Sequence, residues 1–163
     1  MTDPSTDTRH SKFVLEMVQP GLAGLMDGSV STLAPIVAAA YATQDTDKAF
    51  LIGLAASVGA GISMAFAEGL SDDGKLTGRG RPLLRGLVCG GMTFLGGIGH
   101  TLPFLIPQFQ TAMTIAIIVV ILELVSIAWI RKKYMDTPFL RATIQVILGG
   151  GIVLFAGVII GQS

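Results

Sequence analysis

The chain has 163 residues, of which 51% are apolar and 13% charged, and its formal net charge is zero. With a mean hydropathy of +0.68 and about half the charge of a typical soluble domain, it lacks the polar groups to cover a globule, so an all-α integral membrane protein is expected. Neutrality argues against a nucleic-acid partner, and one cysteine, Cys89, excludes both an intrachain disulfide and a cysteine metal cluster.

Residues 1–8 are polar and read as a disordered arm. The N-terminus lacks the short apolar core and small-residue cleavage site of a secretory signal, so the first apolar helix is expected to stay as an anchor. From Arg9 to Gln19 the spacing predicts a short amphipathic helix. Phe13, Val14, Met17 and Val18 fall on one face, with Lys12 and Glu16 on the other. Pro20-Gly21 is expected to break the chain there, leaving this helix on the membrane surface or, alternatively, as a gate beneath a pore. The division is thus a polar arm and interfacial helix over 1–19 and a transmembrane domain over 20–163.

Five apolar spans follow, at about 20–43, 47–70, 83–105, 111–131 and 138–161. Each is long enough for a hydrocarbon core of about 30 Å at 1.5 Å per residue. Pro103 and Pro107 bracket the turn between spans three and four, and Thr137-Pro138 opens the fifth. Of the eleven Lys and Arg residues, ten fall on one side: Arg9 and Lys12; Lys75, Arg79, Arg81 and Arg85; Arg131, Lys132, Lys133 and Arg141. Lys48 alone lies on the other. The positive-inside rule therefore puts the N-terminus in the cytoplasm and the C-terminus outside. Gly24-x-x-x-Gly28, Gly86-x-x-x-Gly90 and Gly157-x-x-x-Gly161 suit close helix contact, within the bundle or with a second copy.

Three carboxylates interrupt these spans: Asp27, Glu68 and Glu123. A charge at bilayer depth costs roughly 2.5–3.5 kcal/mol or more, so each is a candidate for ion binding, proton carriage or pairing with a cation. Asp27 and Ser31 lie one turn apart on one face and both offer oxygen. Ser57, Gly61, Met64 and Glu68 form one stripe along span two. Carboxylate with thioether suits a divalent transition metal better than calcium, although Met64 alone also reads as packing. Glu123 sits about 12 Å from Arg131 along its helix. It reads as a proton carrier, a metal ligand or a partner for another helix. His100, near the outer end of span three, is expected to be a satisfied interfacial histidine, with a proton or metal exit role as the alternative. Asp72 and Asp73 read as a solvated turn, and Cys89 as a small packing residue.

Gly24-Leu25-Met26-Asp27-Gly28-Ser29-Val30-Ser31 and Ser63-Met64-Ala65-Phe66-Ala67-Glu68-Gly69-Leu70 resemble the vacuolar iron transporter (VIT-like) family. Glu68 to Gly74, with Thr77-Gly78-Arg79-Gly80 after it, is most similar to the bacterial branch. There the transporter is commonly fused behind a ferritin-like, rubrerythrin-type domain, as in membrane-bound ferritins. The resemblance covers about residues 15–161 and is specific in the first two spans. It implies a homodimer that exchanges cytosolic Fe²⁺ or Mn²⁺ against protons, with Asp27 and Met64 in the pore and Glu68 at its cytoplasmic end. The chain departs from the family in two ways. Residues 71–82 leave no room for the Glu- and Met-rich helical insertion of eukaryotic members, and only about 19 residues precede span one. A stand-alone short member, an isolated domain and a subunit supplied by a separate ferritin-like protein all fit these departures.

The expectation is therefore a multi-pass protein of a bacterial inner membrane that exports Fe²⁺ or Mn²⁺ by proton exchange. Asp27, Met64 and Glu68 would hold the metal, and Glu123 and Ser31 would serve the proton or the pathway. No permanently bound cofactor and no enzymatic activity are expected. The alternative is a non-transporting membrane subunit whose buried acids pair with the cations of a larger complex.

Overall fold

The computed structural model describes residues 11–71, 73–75, 77–135 and 138–163. The polar arm 1–8, Arg9, Asp72 and Thr137 lie outside the described residues. Five long helices follow one another: α1 (Ser11–Thr43), α2 (Thr46–Gly69), α3 (Pro82–Thr101), α4 (Phe109–Met135) and α5 (Phe139–Gln162). The described residues contain no strand. Ser11–Thr43, Thr46–Gly69, Pro82–Leu105 and Phe109–Met135 are each long and apolar enough to cross a membrane, and α5 carries a further apolar stretch, Ile147–Gln162. Their outward faces are oily. Leu51, Ile62, Phe66, Leu83, Leu87, Ile121, Leu122, Ile152 and Phe155 are all exposed, the surface of a protein solvated by lipid rather than by water.

The first helix departs from its sequence expectation. Pro20-Gly21 does not break it: the helix runs on from Ser11 to Ser31. A proline inside an α-helix removes a hydrogen bond to the carbonyl four residues back and presses its ring on that carbonyl. Here Val14–Val18 widens into a π turn, closed by the Gln19 N–H on the Val14 carbonyl five residues back. The wider turn ends just before Pro20 and accommodates it, as π bulges commonly do. The break comes later. Pro35 supplies no N–H to the Ser31 carbonyl, and the helix interrupts at Thr32 before resuming over Leu33–Thr43.

Glycines set how the helices stack. A Cβ at Gly24 or Gly28 would overlap the carbonyl of Cys89 or Thr93, so α1 lies backbone to backbone on α3. Gly86 and Gly90 bring α3 against the Ala65 and Gly61 carbonyls of α2 in the same way. Gly157 and Gly161 seat α5 on Ala34 and Ala38 of α1. All three small-residue motifs are thus used within the chain. The contacts advance in the same sense between α1, α3 and α5 and in the opposite sense for α2 and α4, so successive helices alternate in direction. Leu22, Leu33, Val37, Val120, Leu124 and Ile127 form one apolar core, and Ile36, Ala40, Ala49, Phe104, Ala112, Met113 and Ala116 a second toward the far end.

Candidate functional site

Polar side chains gather at three levels of the bundle. The first is the end that carries the 70–81 loop. Glu68 lies in the last turn of α2 and Arg85 in the first turn of α3. The tight α2–α3 seam brings them into an ion pair, and Arg79 donates a second bond to the same Glu68 oxygen at 3.2 Å. Arg85 is fully buried. Nearby, Glu16 is also buried, and its Oε1 accepts the Arg81 backbone N–H at 3.2 Å. Gly80, at φ 89°, lies so close to the Glu16 side chain that a Cβ would overlap it. Glu16 therefore does not sit on an outer polar face, as its helical spacing predicts. It ties α1 to the loop.

The second level is Asp27. It is half-buried on α1 and opens on a groove of about 330 Å³ lined by Met26, Val30, Ser31, Leu124, Ile127 and Gly149. The Ser31 hydroxyl reaches its Oδ2 at 3.5 Å, which confirms the one-turn spacing read from the sequence. Among the described residues no basic side chain pairs with Asp27. Met64 and Glu68 do not line this groove. Ser57, on the Met64 stripe, spends its hydroxyl on the Gly53 carbonyl at 2.7 Å and packs against Gly97. Among the described residues no group of three or more His, Cys, Asp and Glu side chains converges as a metal cluster. The structure thus joins Asp27 to Ser31 and Glu68 to two arginines.

The third level is a buried chain of bonds. Thr32 Oγ1 donates to the Gly28 carbonyl at 2.8 Å and meets His100 Nε2 at 3.0 Å. His100 Nδ1 meets Glu123 Oε2 at 3.2 Å. Thr32 and His100 are fully buried. His100 is therefore a satisfied histidine, but inside the bundle rather than at its interface, and Glu123 is its partner. Gly99 gives the carboxylate room, because a Cβ there would overlap it. Asp73, by contrast, accepts the Lys75 N–H in an exposed turn. Cys89 is a free, buried thiol whose carbonyl bears on Gly24.

Sequence reasoning missed the inward roles of Glu16, Arg85 and Thr32 and the interruption of α1 ahead of Pro35. Arg85 was legible, since it follows Pro82 at the fourth position of an apolar helix rather than in a loop. Pro35 was legible too, as the residue that must disturb the helix one turn earlier. No family model, curated protein or solved structure matches the chain.

Proposed function

We propose that the chain is a five-span exporter of divalent transition metal, Fe²⁺ or Mn²⁺, in a bacterial inner membrane, with its N-terminus in the cytoplasm and proton exchange as its driving force. The observation that carries this reading is Asp27: a carboxylate at bilayer depth that opens on a groove with a hydroxyl beside it and no cation among the described residues. An anion so placed is costly unless a cation visits it. Its oxygens, with Ser31 Oγ, suit a divalent ion that sheds part of its water. The half-open groove fits a pathway completed by a second copy. Met64, which does not line this groove, would offer a thioether from α2 elsewhere along the pathway, and Glu68, near the basic end, would receive metal from the cytosol by exchanging an arginine for it. Proton binding at Asp27, Glu68 or Glu123 would compete with metal and release it. A separate ferritin-like protein is the proposed supplier.

The reading of the chain as a non-transporting subunit draws on acids that await a partner's cations. Two of the three, Glu68 and Glu123, already bond to Arg85, Arg79 and His100 of this chain. That weakens it.

Proteoliposomes with an internal pH dye test the proposal. Fe²⁺ or Mn²⁺ gradients should move protons through the wild type and not through Asp27→Ala purified to the same fold. Equal flux through both would remove Asp27 from the pathway.

A further inference from the structure

Asp27 is not the only place in the bundle built to hold a proton. The bond directions at the third level constrain where hydrogens sit. The Thr32 hydroxyl has one hydrogen and gives it to the Gly28 carbonyl. Its contact with His100 Nε2 must then use an oxygen lone pair, so Nε2 carries the N–H. A histidine protonated on Nε2 has either a bare Nδ1 or a second N–H there. A bare Nδ1 facing a bare carboxylate oxygen at 3.2 Å would set two lone pairs against each other. The contact is a bond only if one proton lies in it, on Nδ1 or on Oε2. With the Thr32 hydroxyl on the Gly28 carbonyl, the heavy-atom contacts fit a pair that shares one proton and is neutral overall.

Removing that proton leaves one arrangement in which every contact is still a bond. The remaining ring hydrogen moves to Nδ1, where it serves the carboxylate. Nε2 becomes an acceptor, and Thr32 must turn its hydroxyl from the Gly28 carbonyl to the ring. Thr32 is the residue at which α1 is interrupted by Pro35, next to Ser31 and five residues from Asp27. Gly28 follows Asp27 directly. A proton gained or lost between α3 and α4 is thereby read out in the backbone bonding beside Asp27. We infer that His100 and Glu123 form a second proton-holding site, and that Thr32 couples its occupancy to the break in α1. This deepens the transport reading and takes its role in exchange from it, but the proton site itself needs no metal.

The surroundings favour such a switch. Histidine is the side chain whose charge ordinarily changes near neutral pH. Among the described residues, the titratable group facing His100 is Glu123. α2 presents Gly53 and Ser57 at this level, by their packing on Thr101 and Gly97, and keeps Asp47, Lys48 and Glu68 at its ends. On α3, Arg85 is fifteen residues away. Ile147–Gln162 of α5 and the Leu102–Leu105 turn contain no ionisable side chain. On α1, Asp27 opens on the α4–α5 side instead.

The chain has two histidines, so His10→Asn leaves His100 as the only one that reports. Nitrogen-15 histidine NMR of that full chain in lipid nanodiscs, without metal, follows the ring from about pH 5 to about pH 8. The expected result is loss of the bridging proton with a change from the Nε2–H to the Nδ1–H tautomer. Glu123→Gln should abolish the change, and Thr32→Val should abolish it or shift its midpoint, whereas Thr32→Ser should retain it. Melting temperatures check that each variant is folded. One tautomer throughout the range in the wild type, or the same change in Glu123→Gln, would overturn the proton site. Flux in proteoliposomes is read separately. A tautomer change without metal-driven flux sinks the transport reading and leaves the proton site standing. Flux whose pH profile is identical in wild type and Thr32→Val removes Thr32 from the coupling.

Discussion

Asp27 and Glu68 are both carboxylates on apolar helices, and the chain treats them in opposite ways. Glu68 sits where α2 and α3 touch through Gly69 and Gly86, and two guanidinium groups meet it there. Asp27 sits on the open side of α1, where a hydroxyl and a groove meet it. The difference teaches that depth in the bilayer does not by itself define a functional acid. An acid with a cation inside the fold holds the fold together. An acid without one among the described residues is left uncompensated, and the fold bears its cost.

The largest expected effect breaks this comparison directly. Arg85→Ala leaves the Glu68 charge and a cavity at the α2–α3 seam. Loss of one member of a buried ion pair typically costs roughly 3–5 kcal/mol, softened here because Arg79 still reaches Glu68. Asp27→Asn removes a charge that no cation offsets among the described residues, so its stability should stay within about 0.5 kcal/mol of wild type or rise. Chemical unfolding in one detergent compares them. A similar loss in both would show that Asp27 is structural as well. The double variant Arg85→Leu with Glu68→Leu sharpens the point, because replacing a whole buried pair with apolar groups is often neutral.

A smaller effect is expected at the seam that aims Asp27. Gly28→Ala pushes a methyl group into the Thr93 carbonyl and should cost about 1–3 kcal/mol as overpacking. It should also reduce flux, because Asp27 turns with Gly28. Gly59, also on an apolar helix, has open space where its Cβ would go. Gly59→Ala should therefore be neutral or stabilise by up to about 1 kcal/mol through helix propensity. Equal effects of the two would mean that α1 and α3 do not press together at Gly28.

Much of this was legible in the sequence because it depends on local spacing. The long apolar runs mark the helices to within a few residues, save where α1 runs on through Pro20, and Asp27 with Ser31 is a one-turn pair that any helix must form. What was not legible depends on which helices touch. Glu16, four residues from Lys12, reads as a surface charge until the 70–81 loop folds over it. His100 and Glu123 are 23 positions apart, and only the antiparallel pairing of α3 with α4 joins them. The partners of Glu68 stand in the sequence as loop arginines, and tertiary packing turns one of them, Arg85, inward. Pro20 and Pro35 show the same limit from the other side. Both forbid the same hydrogen bond, yet one is absorbed by a π turn and the other interrupts the helix.

The smallest effect concerns an acid outside the spans, which completes the comparison from the solvated side. Asp45 caps α2: its side chain accepts the Lys48 N–H at 3.1 Å and meets Lys48 Nζ at 3.0 Å. The Lys48 side chain, and then the Lys48 backbone N–H, hold the Asp45 carboxyl below its ordinary range. A carboxyl lowered on folding adds stability above its unfolded pKa of about 3.9, and that contribution fades as pH falls through the folded value. Asp45→Asn keeps the capping oxygen and loses the charge. Its melting temperature should lie slightly below wild type near neutrality, and the gap should close in acid. Lying at the surface, the pair is screened by salt, so the gap should also shrink at high ionic strength, whereas the Arg85→Ala loss should persist. A gap at Asp45 that ignores both acid and salt would show that the cap acts through geometry alone, and the contrast between a solvated and a buried ion pair in this chain would lose its electrostatic basis.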